Sequence, residues 1–382
     1  MTLKKIIISP DSFKGTMSSI EVCSIIEQGI KNIFPDTEVI KIPIADGGEG
    51  TVDAFLTAIG GEKIKVKVKN PLFEEVEAFY GVLPDKETAV IEMAAASGLT
   101  LVEDRKNPLV ATTYGTGQLI LDALDRGCLK IIVGIGGSAT NDGGIGMAAA
   151  LGVRFLDEEN KEVDLNGGGL ENLERIDISG IDKRIKNCTI VAACDVDNPL
   201  FGPSGAAYIF GPQKGADERM VKMLDENLKN FAGIVGRDLG VDVQNIPGSG
   251  AAGGLGAGLV AFAGAKLQPG IKIVLDVVKY DEIISNADLV ITGEGKIDGQ
   301  SLRGKVPVGI AEKASKYDIP VIAIVGAVGD EAEKVYERGI TSIFSTNLQP
   351  IPFEEAKICC RKNLLKTTES VMRLIKGTQG IK

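Results

Sequence analysis

Short apolar runs that break off into glycine- and carboxylate-rich loops recur along this chain. They constrain its fold more than any other feature. Ile6-Ile7-Ile8 runs into Pro10-Asp-Ser-Phe-Lys-Gly15, and Val39-Ile40-Lys41-Ile42 into Ala45-Asp-Gly-Gly-Glu-Gly-Thr51. Ile131-Ile132-Val133 leads to a glycine-rich stretch ending at Gly146, and Ile190-Val191-Ala192 to Cys194-Asp-Val-Asp-Asn-Pro199. Leu289-Val290-Ile291 leads to Thr292-Gly-Glu-Gly295, and Pro320–Gly326 is a further buried strand. Strands apolar on both faces belong inside a parallel sheet covered by helices. Between the first two runs, Ser18 followed by Glu21 has the form of a capping box. Val22, Ile25, Ile26, Ile30 and Ile33 then recur at helical spacing, and Pro35-Asp36 ends the helix. The tail repeats this grammar, with helices expected over 307–316, near 330–338 and from 353, and a strand at 342–344. In open α/β sheets, ligands bind at the carboxyl ends of such strands.

The middle of the chain differs. Lys63-Ile-Lys-Val-Lys-Val-Lys69 alternates strictly, and Val76, Ala78, Tyr80 and Val82 alternate again after Asn70-Pro71. Residues 63–83 therefore read as an antiparallel hairpin with one exposed face. The expected architecture is a doubly wound parallel sheet built from residues 1–68 and 286–382. A second, mixed α/β domain is inserted at 69–285. The expected site is the cleft between them, with loops 10–15, 45–51 and 292–305 on one domain and 136–144, 193–199 and 211–215 on the other.

Composition removes whole classes of chemistry. None of the 382 residues is a histidine, so imidazole acid–base steps and His-ligated zinc are excluded. There is no tryptophan, aromatics are 5%, and the net charge is −10, which argues against a nucleic-acid binder. The six cysteines include no CxxC pair. No apolar run reaches the ~18 residues of a membrane span. The reading is a cytoplasmic protein with reduced thiols.

Several loops could carry chemistry. The strand ending at Val133 feeds Gly134-Ile-Gly-Gly-Ser-Ala-Thr-Asn-Asp-Gly-Gly144, and a helix is expected to begin near Gly143. Backbone N–H groups there suit a phosphate, with Gly136, Gly137, Ser138 and Asn141 as candidate ligands. Gly299–Val306 imitates a P-loop but ends in Val306 where the magnesium-binding hydroxyl is needed. Arg303 and Lys305 could still hold an anion. Gly248–Gly258 contains GxGxxG after a poor strand, so close helix packing or a backbone cradle is expected there. Lys14 and Lys214 each precede a glycine in a compact loop, where a ligand can approach the backbone. A histidine-free site must use carboxylates for proton transfer and metal binding. Asp195, just past a strand end, is the expected base, and Asp46, Glu49, Asp197 and Asp298 are the metal candidates.

The loop strings together resemble the bacterial class I glycerate kinases. Besides Pro10–Gly15, Ala45–Thr51 and Gly136–Gly144, these are Ala193–Pro199, Phe210-Gly-Pro-Gln-Lys-Gly215 and Thr292-Gly-Glu-Gly-Lys-Ile-Asp298. The likeness runs in order from residue 3 to about 345. It implies a flavodoxin-like domain interrupted by a second α/β domain. It also implies phosphorylation of D-glycerate by ATP with Mg2+, most often at the 2-hydroxyl. In that reading Gly293 and Glu294 join the nucleotide site, Ser12, Lys14, Arg303 and Lys305 take the substrate, and Lys14, Lys214 and Asp195 are catalytic. A glycerate 3-kinase, or a kinase of a related sugar acid, is the alternative. A nicotinamide-dependent dehydrogenase and a non-enzymatic sugar-acid sensor are more remote. D-glycerate and ATP are the expected partners, with no nucleic acid and no membrane. A homodimer is the assembly considered.

Overall fold

A computed structural model of the chain describes residues 3–45, 47–303, 305–349 and 351–378, with Arg303 described by its backbone alone. The chain divides into two compact units. Unit 1 is drawn from Met1–Ala45, Asp53–Ile59 and Ile271–Lys382, and unit 2 from Asp46–Val52 and Gly60–Gly270. The strands of the two main sheets are, in chain order, β1 (Lys5–Ile8), β2 (Glu38–Lys41), β3 (Glu62–Lys69), β4 (Glu75–Val82), β5 (Thr88–Glu92), β6 (Lys130–Gly134), β7 (Thr189–Ala193), β8 (Lys266–Gln268), β9 (Leu289–Thr292), β10 (Val321–Val325) and β11 (Ser342–Ser345).

Unit 1 holds the sheet β11-β10-β9-β1-β2, parallel throughout. Counted along the chain, its strands lie in the order 2-1-3-4-5 of the flavodoxin-like folds, whose ligand crevice opens where the order reverses. Here that point lies between β1 and β9. Ile6, Ile7 and Ile8 are wholly buried, as their position in a covered sheet requires. The helix Ser19–Ile33 covers one face, and Ser18 caps it by accepting the Glu21 N–H at 3.2 Å. It packs on the terminal helix Phe353–Thr378, where a Cβ added at Gly29 would stand 2.7 Å from Thr368 Cγ2. The helix expected near 330–338 is present as 3-10 turns over Ala332–Arg338, and Gly339, at φ +94°, ends it.

Unit 2 holds the sheet β8-β7-β6-β5-β4-β3. β5 to β8 are parallel, and β3 and β4 form the antiparallel hairpin at one edge. β3 pairs with β4 over its whole length, so the chain enters unit 2 before residue 62 and not after 68. At the far end, the helix Gly270–Val277 past its first residue, and residues 280–284, group with unit 1, so the return falls after 270 and not at 285. The loop Asp46–Val52 was expected in the first domain. Its described residues belong to unit 2, where the Gly47 carbonyl accepts from Gly136 N–H at 3.0 Å.

Candidate active site

The parallel strands of unit 2 bring Glu92, Gly134, Ala193 and Gln268 level at one sheet edge. The glycine-rich turn leaves that edge after Gly134. Added Cβ atoms at Gly134 and Gly136 would meet Gly47 O at 2.4 Å and Gly48 Cα at 2.7 Å. Only glycine permits this approach of main chain to main chain. The Glu92 carboxylate accepts from the Val52 N–H at 2.6 Å, at the start of the helix Thr51–Ile59, where a negative charge is favoured.

Farther along, the turn plunges into the core. Gly137 is exposed and Ser138 nearly buried, while Thr140, Asn141 and Asp142 have no exposed surface. The second glycine cluster walls this segment in. Ala252, Gly253 and Gly254 all adopt left-handed backbone inside the helix Ala251–Ala263, and the Gly253 carbonyl accepts from Gly143 N–H at 3.0 Å. The 248–258 stretch is thus a packing device and not a dinucleotide fingerprint. Asp142 accepts from Thr113 N–H and Oγ1, both at 2.8 Å, and from the N–H groups of Gly144 and Gly146. Burial raises its pKa and these donors lower it, burial being the larger.

Lys214 enters from the short turn Pro212–Lys214 and is 1% exposed. Its Nζ donates to Ser138 Oγ at 2.7 Å and to the Thr140 carbonyl at 2.6 Å. Burial pushes its pKa down to about 7, against a smaller opposing pull from Asp142. Directly after Thr140 in sequence sits Asn141, whose amide Oδ1 and Nδ2 are both buried without a hydrogen bond. An orphaned amide is costly in a folded interior, about 1–3 kcal/mol per group. This turn is therefore polar beyond the needs of its own fold. Its N–H donors, the unpartnered Asn141 Nδ2 among them, suit phosphate oxygens, and in this respect the turn fits a nucleotide.

The remaining unit 2 candidates are exposed: Glu49, Asp195 and Asp197. One Asp195 oxygen accepts from Gly270 N–H at 2.8 Å, at the first residue of the helix Gly270–Val277. Asp195 thus has a capping role whatever else it does.

In unit 1 the loops after β1 and β9 are knitted together by Ser9 N–H to Ile291 O and Asp11 N–H to Gly293 O, both 2.8 Å. Ser12 is half-buried and Lys14 exposed. Gly293 is required because a Cβ there would stand 2.0 Å from Ile324 O. Glu294 is 5% exposed, accepts from Ser301 Oγ at 2.5 Å, and has Lys305 Nζ at 3.9 Å. Burial raises its pKa. Asp298 pairs with Lys296 at 3.0 Å and is held below the usual carboxylate range. It lines an open cavity of about 340 Å³ with Gly299, Gln300, Asp330 and Glu331. Arg303 ends the 3-10 turn Gly299–Arg303, and its side chain lies outside the described residues, as does Asp46. Among the described residues, no three acidic or thiol groups converge as a metal cluster. No described helix is long and apolar enough to cross a membrane.

Sequence reasoning passed over Glu92, Asp142, Thr113 and Asp11. Glu92 had a readable signal, a carboxylate closing the apolar run Ala89-Val90-Ile91. Thr113 had none, because its hydroxyl meets Asp142 across 29 residues.

The profile of the glycerate kinase family matches residues 6–376. A glycerate kinase of Bacillus cereus is 52% identical over 96% of this chain and 97% of its own length. The glycerate 2-kinase of Escherichia coli K12 is 49% identical, with the same coverage of both chains. A crystal structure described as a provisionally assigned glycerate kinase 2 from Salmonella typhimurium LT2 superposes with a TM-score of 0.88 at 47% identity, covering 99% of this chain and all of that one. With its fold, its loops and nearly its whole length matched, the chain belongs to the glycerate kinase family.

Proposed function

We propose that this protein transfers the γ-phosphoryl group of ATP to the 2-hydroxyl of D-glycerate, giving 2-phosphoglycerate and ADP. The observation that carries the reading is near-half identity, over almost the full length, to a protein named glycerate 2-kinase. In the reaction the glycerate oxygen bonds to the γ-phosphorus, the bond to the bridging β–γ oxygen breaks, and the hydroxyl proton leaves. Such transfers pass through a loose transition state, so placement and charge matter more than a strong base.

In this reading the turn Gly136–Asn141 takes the nucleotide phosphates, with Lys214 behind Ser138, and Gly293 and Glu294 are further candidate nucleotide contacts. Ser12, Lys14, Arg303 and Lys305 take the glycerate carboxylate and hydroxyls, Lys14 also steadying the transferring group. Asp195 accepts the hydroxyl proton, its capping bond holding the carboxylate in one orientation. Magnesium arrives with the nucleotide as part of the substrate. Magnesium keeps several waters and takes few carboxylates, so single acids suffice among Asp46, Glu49, Asp197 and Asp298. The expected compartment is the cytoplasm. The test is ADP release by purified protein with ATP and magnesium. Release that depends on D-glycerate supports the reading, and release indifferent to it sinks it. Replacing Arg303 by Lys should raise the KM for glycerate more than that for ATP; equal effects remove Arg303 from the substrate site.

A further inference from the structure

Two acceptors face the buried amine of Lys214, and their number is informative. A protonated lysine carries three N–H donors. Here one goes to Ser138 Oγ and one to the Thr140 carbonyl. A neutral amine has two N–H groups and would be satisfied by these partners, whereas an ammonium would bury a third donor and a charge. Among the ionisable groups described, only Asp142 acts on Lys214 across space. That carboxylate is already engaged by four donors, from Thr113, Gly144 and Gly146. The remaining ligands of Lys214 come from the turn itself, which supplies a hydroxyl and a carbonyl but no second carboxylate. An unpaired buried charge is costly and is relieved by loss of the proton; the fall to about 7 agrees with the partner count. In the same turn, Asn141 holds two unpartnered polar atoms with no exposed surface.

We infer that Lys214 is a neutral amine in the empty site and takes up a proton when an anion binds against the 136–142 turn, so that phosphate binding and proton uptake are one event. The inference rests on the reading of this turn as the nucleotide phosphate site. The incoming oxygens supply the negative charge and the acceptor that the third N–H lacks, and Asn141 Nδ2 gains a partner in the same step. The proton comes from solvent, and no bond other than N–H is made. Binding should then weaken as pH rises above about 7, approaching tenfold per pH unit. Most of one proton should enter per bound nucleotide at pH 8, and little at pH 6.

The experiment is carbon NMR of the full chain with lysine labelled at Cε, at pH 8.5, empty and then with magnesium and a non-hydrolysable ATP analogue. The expected result is one lysine resonance at the neutral-amine position in the empty protein. It should be absent from Lys214→Met and move to the ammonium position when the nucleotide binds. If every lysine is an ammonium in the empty protein, or the amine signal stays put in the saturated complex, the inference is wrong while the phosphate-site reading stands. Saturating nucleotide that shifts nothing in the protein contradicts both. Calorimetry on the wild type needs no variant to fold. Proton uptake approaching one per nucleotide at pH 8 supports the coupling, and an affinity constant from pH 6.5 to 9 overturns it.

Discussion

The turn after β6 and the loop after β9 both leave the carboxyl end of a parallel strand, yet they are held in opposite ways. After β6 the chain is fixed by main chain against main chain, with glycines at each approach and two ionisable groups, Asp142 and Lys214, sealed inside. After β9, one acid, Glu294, is buried against Ser301, while Lys14 and Lys305 stay at the surface. Burial drives Lys214 down and Glu294 up, each toward neutrality. In the proposed reaction the contrast would separate two tasks. A phosphate wants fixed donors, which a packed backbone supplies at no further ordering cost, whereas a small acid wants charged side chains that can reach it.

The largest effect should come from breaking the packed backbone. Gly253 has φ +68°, and a Cβ there would lie 2.0 Å from the Thr140 carbonyl. Gly253→Ala should cost about 3 kcal/mol or more, read from the urea midpoint. Gly233, in the helix Glu218–Leu239 with nothing within 4 Å of its added Cβ, is the control; its change to Ala should be neutral or stabilise by up to about 1 kcal/mol. Equal losses at the two positions would erase the contrast.

Next comes Lys214→Met. It should leave the circular dichroism unchanged and lower kcat about 10²- to 10³-fold, as loss of a transition-state donor does. Near-normal turnover would remove Lys214 from the chemistry.

The pH dependence of stability is a signed effect, smaller than these per pH unit. The folded pKa of Lys214 lies near 7, below the ordinary value of 10.5. Between these values the unfolded chain binds more protons than the folded one, so this group makes stability rise with pH from about 7 toward 10. The slope is at most about 1.4 kcal/mol per pH unit. It is the difference between wild type and Lys214→Met in urea unfolding, and a flat difference across that window would contradict the neutral amine.

The smallest stability effect belongs to the displayed loop. Lys305 is largely exposed and 3.9 Å from Glu294, so Lys305→Ala should change stability by no more than about 0.5 kcal/mol. The KM for glycerate should nonetheless rise several-fold. A stability loss as large as that of Gly253→Ala would show that this loop, too, is a packing element.

Much of the fold was legible because its signals are local. Ile6–Ile8 and Val321–Val325 are apolar on both faces and could only be covered strands, Ser18 caps where its spacing to Glu21 says it should, and the lysine alternation of residues 63–69 marks a one-sided strand. The misplacements have a common physical cause. Alternation identifies β3 as a strand but not the sheet it joins, and the 47–52 loop goes with unit 2 through a bond from Gly136 to Gly47 across 89 residues of chain. At the site, the Gly136–Asn141 string marked the turn. That Lys214 sits behind Ser138 rather than at the surface, and that Asp195 caps Gly270, depend on contacts 75 or 76 residues apart. No spacing rule reports contacts at that separation.

The most direct test of the proposed reaction is the phosphorus NMR spectrum of the product formed from D-glycerate, ATP and magnesium. The account predicts growth of the 2-phosphoglycerate resonance together with ADP. A spectrum that accumulates 3-phosphoglycerate, or only ADP and inorganic phosphate, would contradict it.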